Sequence, residues 1–316
     1  MPCATYSEST SVPDRAASQI LLDSFWLTKA NWRNSADDTA CGFQSQPPTL
    51  RRVAWPEILI LVILGLVAGA LGGLLGVGGS IVMIPVLTQL LGYDQHLAQA
   101  AAMIVGIFVA APSVLRHNQS DSVRWDVTLR MLPAGLLVIV IGVWASNQFS
   151  GENLERIFGV FLLYVVSIET IKLVQQRPEP HEAQHRVTWP RCSAVGTMTG
   201  FLAGLLGVGG GIVTVPLLQR VCRLPLRQCI ATSSAVMVLT AIVGSIRKNV
   251  TLAQHMSHGQ PLEMRTSLTL AAFLIPTAIA GAWLGAHLTH ALPLRGVRLA
   301  FILLLLWAGI DMLAQG

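Results

Sequence analysis

The sequence predicts an all-α, polytopic membrane protein made of two homologous repeats, each with a glycine-tipped hairpin or broken helix. Three observations predict it. Hydrophobic residues make up 53% of the 316-residue chain and charged residues only 12%. The apolar residues gather into ten runs, five on each side of a polar break. A glycine-rich segment in the first half recurs almost unchanged in the second.

The charge deficit excludes most classes at once. A soluble domain carries about 25% charged residues. Residues 1–54 hold five basic and five acidic side chains, and all the rest of the chain holds 16 basic and 11 acidic. So few charges cannot solvate a globule of this size. The net charge of +5 is small and dispersed, unlike a phosphate-binding face, so nucleic acid is not expected as a partner. Cys3, Cys41, Cys192, Cys222 and Cys229 form no CxxC pair and read as small buried hydrophobes.

Taken in order, residues 1–54 read as a polar, disordered tail with no secretory-signal pattern. Gln46-Pro47-Pro48 stops any helix there, and Arg51, Arg52 and Trp55 are interface residues. The first repeat, 55–174, holds apolar runs at 58–75, 80–92, 97–115, 127–147 and 156–174. A polar linker at 175–190 is expected on the cytoplasmic side. The second repeat, 191–316, holds runs at 193–206, 211–222, 228–246, 266–288 and 297–313. A full span needs about 20 residues, so 80–92 and 211–222 are too short to cross.

The segment Gly69–Leu87 aligns without gaps to Gly200–Leu218, with thirteen of nineteen positions identical. In each copy a Gly-Val-Gly-Gly turn separates the first apolar run from the short second one. Such a turn is expected inside the membrane, where irregular backbone survives only under protein or beside a wet cavity. If each pair is a hairpin, each half makes an odd number of crossings and the repeats are inverted. If the glycines only interrupt one span, the repeats are parallel. The distribution of Arg and Lys over the loops favours inversion, with the 116–124, 172–191 and 220–227 loops inside.

Gly76, Gly78 and Gly79, with Gly207, Gly209, Gly210 and Gly211, are the strongest candidate site. Glycine takes positive φ cheaply and lets a ligand approach the backbone. Ser80 and Gly211 are expected to begin short helices whose free N–H groups face the tip. Pro85 and Pro216, at matched positions, are expected to kink those helices. Beyond them, Gln99 and Gln228 recur in register, and Thr232, Ser233 and Ser234 offer hydroxyls where the first half has Met103, Ile104 and Val105. Those hydroxyls either donate to an anion or bond back to the preceding turn.

No Asp, Glu, Lys or Arg stands clearly in the middle of an apolar run. A carboxylate relay would require one, so neutral donors and an anionic ligand are favoured. Arg116 and His117, with Arg247 and Lys248, end matched runs and read either as pore-mouth attractors or as interfacial anchors. The histidines are read as residues of tails and loops, and no metal site is expected. No Walker motif, dinucleotide fingerprint or Ser-His-Asp set occurs, and neither an enzyme nor a cofactor is implied.

Two copies of Gly-Leu-Leu-Gly-Val-Gly-Gly-(Ser/Gly)-Ile-Val, each followed by proline and a long helix, resemble the TauE/SafE family of membrane permeases. The resemblance covers about 55–314. It implies a multi-pass protein of the inner (plasma) membrane that exports sulfur-containing anions such as sulfite or organosulfonates. Protons or the membrane potential would drive it, in a monomer or a homo-oligomer. The family's Ala-Thr-Ser pattern matches Ala231-Thr232-Ser233, whereas the first half has Ala102-Met103-Ile104. That departure moves the expected site toward the second repeat. The other readings are a membrane-embedded accessory protein or enzyme handling a sulfur carrier, and a passive anion channel.

Overall fold

Apolar runs of this length cannot leave backbone groups unpaired in lipid, so they fold as helices. In the computed structural model the described residues are 55–75, 78–119, 121–175, 187–254, 256–257, 260–288 and 294–315. All belong to one compact unit, Val53–Gly316. The expected tail up to residue 54, Gly76 of the first tip and residues 176–186 of the polar linker lie outside them.

The first half contains α1 (Trp55–Leu75), α2 (Ser80–Pro85), α3 (Gln95–Gln119), α4 (Trp125–Ser146) and α5 (Gly151–Gln175). The second contains α6 (Trp189–Leu206), α7 (Gly211–Leu217), α8 (Leu226–Thr251), α9 (Met264–Leu288) and α10 (Leu294–Gln315). A two-residue ladder, β1 (Met256–Ser257) with β2 (Gln260–Pro261), joins α8 to α9. Each of the ten apolar runs falls on a helix. Among the described residues, four helices are long and apolar enough to cross a membrane: Gln95–Gln119, Trp125–Ser146, Leu226–Gln254 and Met264–Gly285. Large apolar side chains such as Leu59, Leu137, Trp144, Trp283 and Ile310 stand exposed on the outside, as a lipid-facing surface requires.

The short helices begin at Ser80 and Gly211, the positions read from the repeat, and every side chain of Ser80–Pro85 is buried. The matched prolines do what a missing N–H dictates. Past Pro85 and Pro216 the helix widens into π turns, Val86–Leu90 and Leu218–Cys222.

Packing pairs one half with the other. The extensive interfaces are α1 on α9, α4 on α6, α3 on α8 and α5 on α10. Thus the first helix of each half lies on the fourth helix of the other. Lipid gives no hydrophobic drive for this contact, so it relies on close backbone approach through small residues. Along α6, a Cβ on Gly196, Gly200 or Gly204 would press on the carbonyl oxygen of Met131, Gly135 or Ile139 of α4, respectively. Along α1, a Cβ on Gly69 would press on the Ala278 carbonyl, and one on Gly73 would stand 2.6 Å from the Ala282 oxygen. Both series rise together along their partners, so α1 runs parallel to α9 and α6 parallel to α4.

Side-chain bonds tie the helix ends together. At one end, His96 Nε2 meets the Phe149 carbonyl at 3.1 Å and Asn147 donates to Thr251 Oγ1 at 2.8 Å. At the other, the Arg124 N–H donates to Thr232 Oγ1 at 3.2 Å and Arg130 donates to the Val187 carbonyl at 3.2 Å.

Candidate functional site at the glycine tips

Both tips need glycine for their backbone conformation. Gly78 has φ +76°, and Gly207, Gly209 and Gly210 have φ +73°, +66° and +85°. An L-residue pays about 1–2 kcal/mol for this region. Gly79 is right-handed, at φ −64°. Its constraint is space, since a Cβ would lie 2.7 Å from the Ala68 carbonyl oxygen.

The tips converge on one side chain that the sequence reading did not single out. A Cβ on Gly78 would press on Met237 Cε, and one on Gly209 would lie 2.9 Å from the same atom. A Cβ on Gly106 of α3 would also lie 3.5 Å from this methyl and 3.2 Å from Ser80 Oγ. Met237, on α8, is 1% exposed. A flexible thioether therefore fills the space between the two turns.

The hydroxyls around the tips are engaged. Ser80 Oγ donates to the Ala102 carbonyl at 3.1 Å, and Ser233 Oγ donates to the Gly211 carbonyl at 3.2 Å. In the first half the tip carries the hydroxyl and the long helix the acceptor; in the second the roles are exchanged. Thr240 Oγ1 reaches the Gly209 carbonyl at 3.4 Å while also bonding back to Val236 and Met237. Thr214 Oγ1 donates to the Gly210 carbonyl at 2.8 Å and lies 3.1 Å from Thr199 Oγ1. Of the three hydroxyls expected at the site, only Ser233 faces a tip. Thr232 accepts the Arg124 N–H in the α3–α4 loop, and Ser234 bonds back to the Ile230 carbonyl at 2.9 Å. The six- and seven-residue helices α2 and α7 align few peptide dipoles, so neither carries a strong macrodipole at its tip.

The matched glutamines part company. Gln99 is fully buried over the second tip, where a Cβ on Gly207 would lie 2.7 Å from Gln99 Cβ. Its Nε2 donates to the Leu205 carbonyl at 3.4 Å and its Oε1 accepts from Ser146 at 3.2 Å. Gln228 is half-buried, and among the described residues its Oε1 has no hydrogen-bond partner.

The expected pore-mouth residues divide. Arg116 and Arg247 are exposed and His117 is half-buried. Lys248 is not exposed at the helix end as the sequence reading placed it. It is 1% exposed, and its Nζ meets His96 Nδ1 at 2.8 Å, Ser146 Oγ at 2.8 Å and Asn147 Oδ1 at 3.1 Å. Successive helical residues point about 100° apart, so Arg247 faces out while Lys248 faces in. The placement of all histidines in tails and loops is corrected as well, because His96 and His117 belong to α3. Beside Lys248, a cleft of about 340 Å³ is lined by Trp144, Asn147, Gln148, Arg247, Thr251 and Gln254.

At the opposite end, Arg124 Nε lies 2.9 Å from Asp126 Oδ1. The hydrogen bond to that carboxylate holds the guanidinium above its ordinary value. The pair is partly exposed, so Asp126→Asn is expected to change the melting temperature of the purified protein only marginally, in keeping with about 0–1 kcal/mol for such pairs. Cys192, Cys222 and Cys229 are buried free thiols outside the tips.

Two glycine turns meeting inside a bundle that holds four helices long and apolar enough to cross a membrane mark a polytopic membrane protein whose irregular backbone is covered by protein. The chain belongs to the sulfite exporter TauE/SafE family, whose model matches residues 61–312. It is 25% identical over 269 residues to the probable membrane transporter protein MamO of Magnetospirillum gryphiswaldense, covering 76% of this chain and 42% of that protein. It is 26% identical to the probable membrane transporter protein YunE of Bacillus subtilis, covering 82% and 98%. A probable membrane transporter protein of Haemophilus influenzae is 26% identical, covering 81% and 97%. The chain thus spans less than half the length of the MamO relative. No solved structure matches it.

Proposed function

We propose that the protein is a secondary transporter of the inner (plasma) membrane that exports a small sulfur-containing anion, sulfite or an organosulfonate. The observation that carries this reading is the convergence of Gly78 and Gly209 on the buried Met237 methyl. When that side chain moves aside, the freed space is lined by backbone N–H groups and by Ser80, Ser233 and Thr240. Neutral donors in a dry site suit an anion. The remaining expected residues, Gln99 and Gln228, would border this space from α3 and α8.

The halves are inverted in this account. The parallel runs of α1 with α9 and α6 with α4 support it, together with the bonds at the helix ends. They put the start of α1 at the His96–Phe149 end and the start of α6 at the Arg130–Val187 end. Each glycine-tipped pair then returns to the side it entered, and one half rocks against the other around the tips. A negative interior favours anion exit by about 2.3 kcal/mol per charge per 100 mV.

The test is flux of radiolabelled sulfite from proteoliposomes. Export against a concentration gradient, driven by potential or pH, is expected; flux only down the gradient would make the protein a channel. Met237→Ala is expected to raise downhill flux severalfold by opening the space between the tips. Replacing all five cysteines should leave flux intact. Loss of activity in the cysteine-free protein would instead favour an enzyme or accessory protein that handles a sulfur carrier.

A further inference from the structure

The transport reading leaves unused a charged side chain buried in the bundle. Lys248 is a buried ammonium whose three hydrogen-bond partners, His96, Ser146 and Asn147, are all neutral acceptors. Burying a charge without a contacting counter-ion is expensive. Among the described residues the groups around it are few. From α3 come His96 and, just before the helix, Asp94, whose Oδ1 accepts the His96 N–H at 2.8 Å. Asp94 is the carboxylate whose field reaches Lys248. From α4 come only Ser146 and Asn147. On α8 itself Arg247 is exposed, and Glu263 and Arg265, at the start of the neighbouring α9, are exposed too.

The bond directions form one consistent chain. His96 Nε2 faces the Phe149 carbonyl, so the neutral ring carries its proton there and Nδ1 accepts from Lys248. Ser146 Oγ accepts from Lys248 and must therefore donate to Gln99 Oε1, which leaves Gln99 Nε2 to donate to Leu205 beside the second tip. On the other side, Asn147 touches both Lys248 and the polar cleft.

Building on the proposed transport reading, the geometry points to Lys248 as the site that binds and releases a proton, with Ser146 and Gln99 carrying its charge state to the second glycine tip. On release, one Nζ–H bond breaks and the proton passes to water in the cleft beyond Asn147. The lone pair left on Nζ accepts the Ser146 O–H. Gln99 Oε1 then loses its donor, and the amide packed over Gly207 is free to turn.

The chain has only three lysines, Lys29, Lys172 and Lys248, so ¹⁵N-lysine NMR of the whole protein resolves the question directly. One side-chain resonance, missing in Lys248→Arg or Lys248→Gln, is expected to titrate between pH 5 and 9, within the range documented for buried lysines. His96→Gln should move that midpoint by about one pH unit or more. In proteoliposomes, methanesulfonate is the probe because it does not titrate in this range. Wild type is expected to accumulate it under a pH gradient, whereas Lys248→Arg, which keeps its charge and cannot release a proton, should exchange it without accumulation.

A Lys248 resonance that stays protonated throughout, or a Lys248→Arg protein that accumulates methanesulfonate like wild type, would overturn the assignment. A titrating Lys248 in a wild type that moves no anion would sustain the proton site and remove the transport reading.

Discussion

Proteoliposomes carrying Gly78→Leu/Gly209→Leu are expected to lose at least about tenfold of their anion flux. Each residue sits at positive φ, +76° and +66°, where an L-residue costs about 1–2 kcal/mol. Two such penalties correspond to roughly a 30- to 1,000-fold change in the population of the intact geometry. Both side chains would also project onto Met237 and fill the space assigned to the anion. Gly92 supplies the control. It has φ +67°, yet nothing lies within 4 Å of where its Cβ would stand. Gly92→Ala bears the same backbone strain away from the tips and should transport at the wild-type rate. Equal flux by the double variant and wild type would remove the tips from the mechanism.

Gly200→Val is expected to act on the fold rather than on transport. Its Cβ would press on the Gly135 carbonyl, which belongs to the backbone of α4 and cannot swing aside. Overpacking usually costs about 1–3 kcal/mol, and a rigid neighbour puts this site at or above the upper end. Size-exclusion chromatography and thermal melting in detergent should show an aggregated or strongly destabilised protein. Gly69→Val, against the Ala278 carbonyl of α9, should behave alike. Gly296→Ala, with open space around it, should melt like wild type. A Gly200→Val protein that is monodisperse with an unchanged melting temperature would contradict the α4–α6 packing.

Much of this architecture was legible in the sequence because lipid leaves the backbone so little choice. The ten apolar runs became ten helices, and the gapless repeat placed the starts of α2 and α7 at Ser80 and Gly211. Gly78, Gly207, Gly209 and Gly210 take positive φ, whereas Gly79 is right-handed and is held by space instead. What stayed hidden depends on facing, not on composition. Met237 looks like any apolar residue of α8 until the two tips are seen to meet on it. Thr232 and Ser234 sit beside Ser233 in sequence, but helical rotation turns them to other partners. Lys248 lay just past the end of the 228–246 run and next to Arg247, so the pair read as pore-mouth residues or interfacial anchors. The signal that would have found it is polar residues at three helix ends, Gln95-His96, Ser146-Asn147 and Lys248-Asn249. Those ends are brought together only by the packing of α3, α4 and α8.

The central claim is that an oxyanion sits between the two glycine turns. Anomalous diffraction from crystals of the wild-type protein grown with selenite, the selenium counterpart of sulfite, tests it most directly. A selenium peak is expected between Gly78 and Gly209, within hydrogen-bonding distance of tip N–H groups and of Ser80 or Ser233, with Met237 displaced. A peak confined to the cleft beside Arg247, with Met237 still seated between the tips, would contradict it.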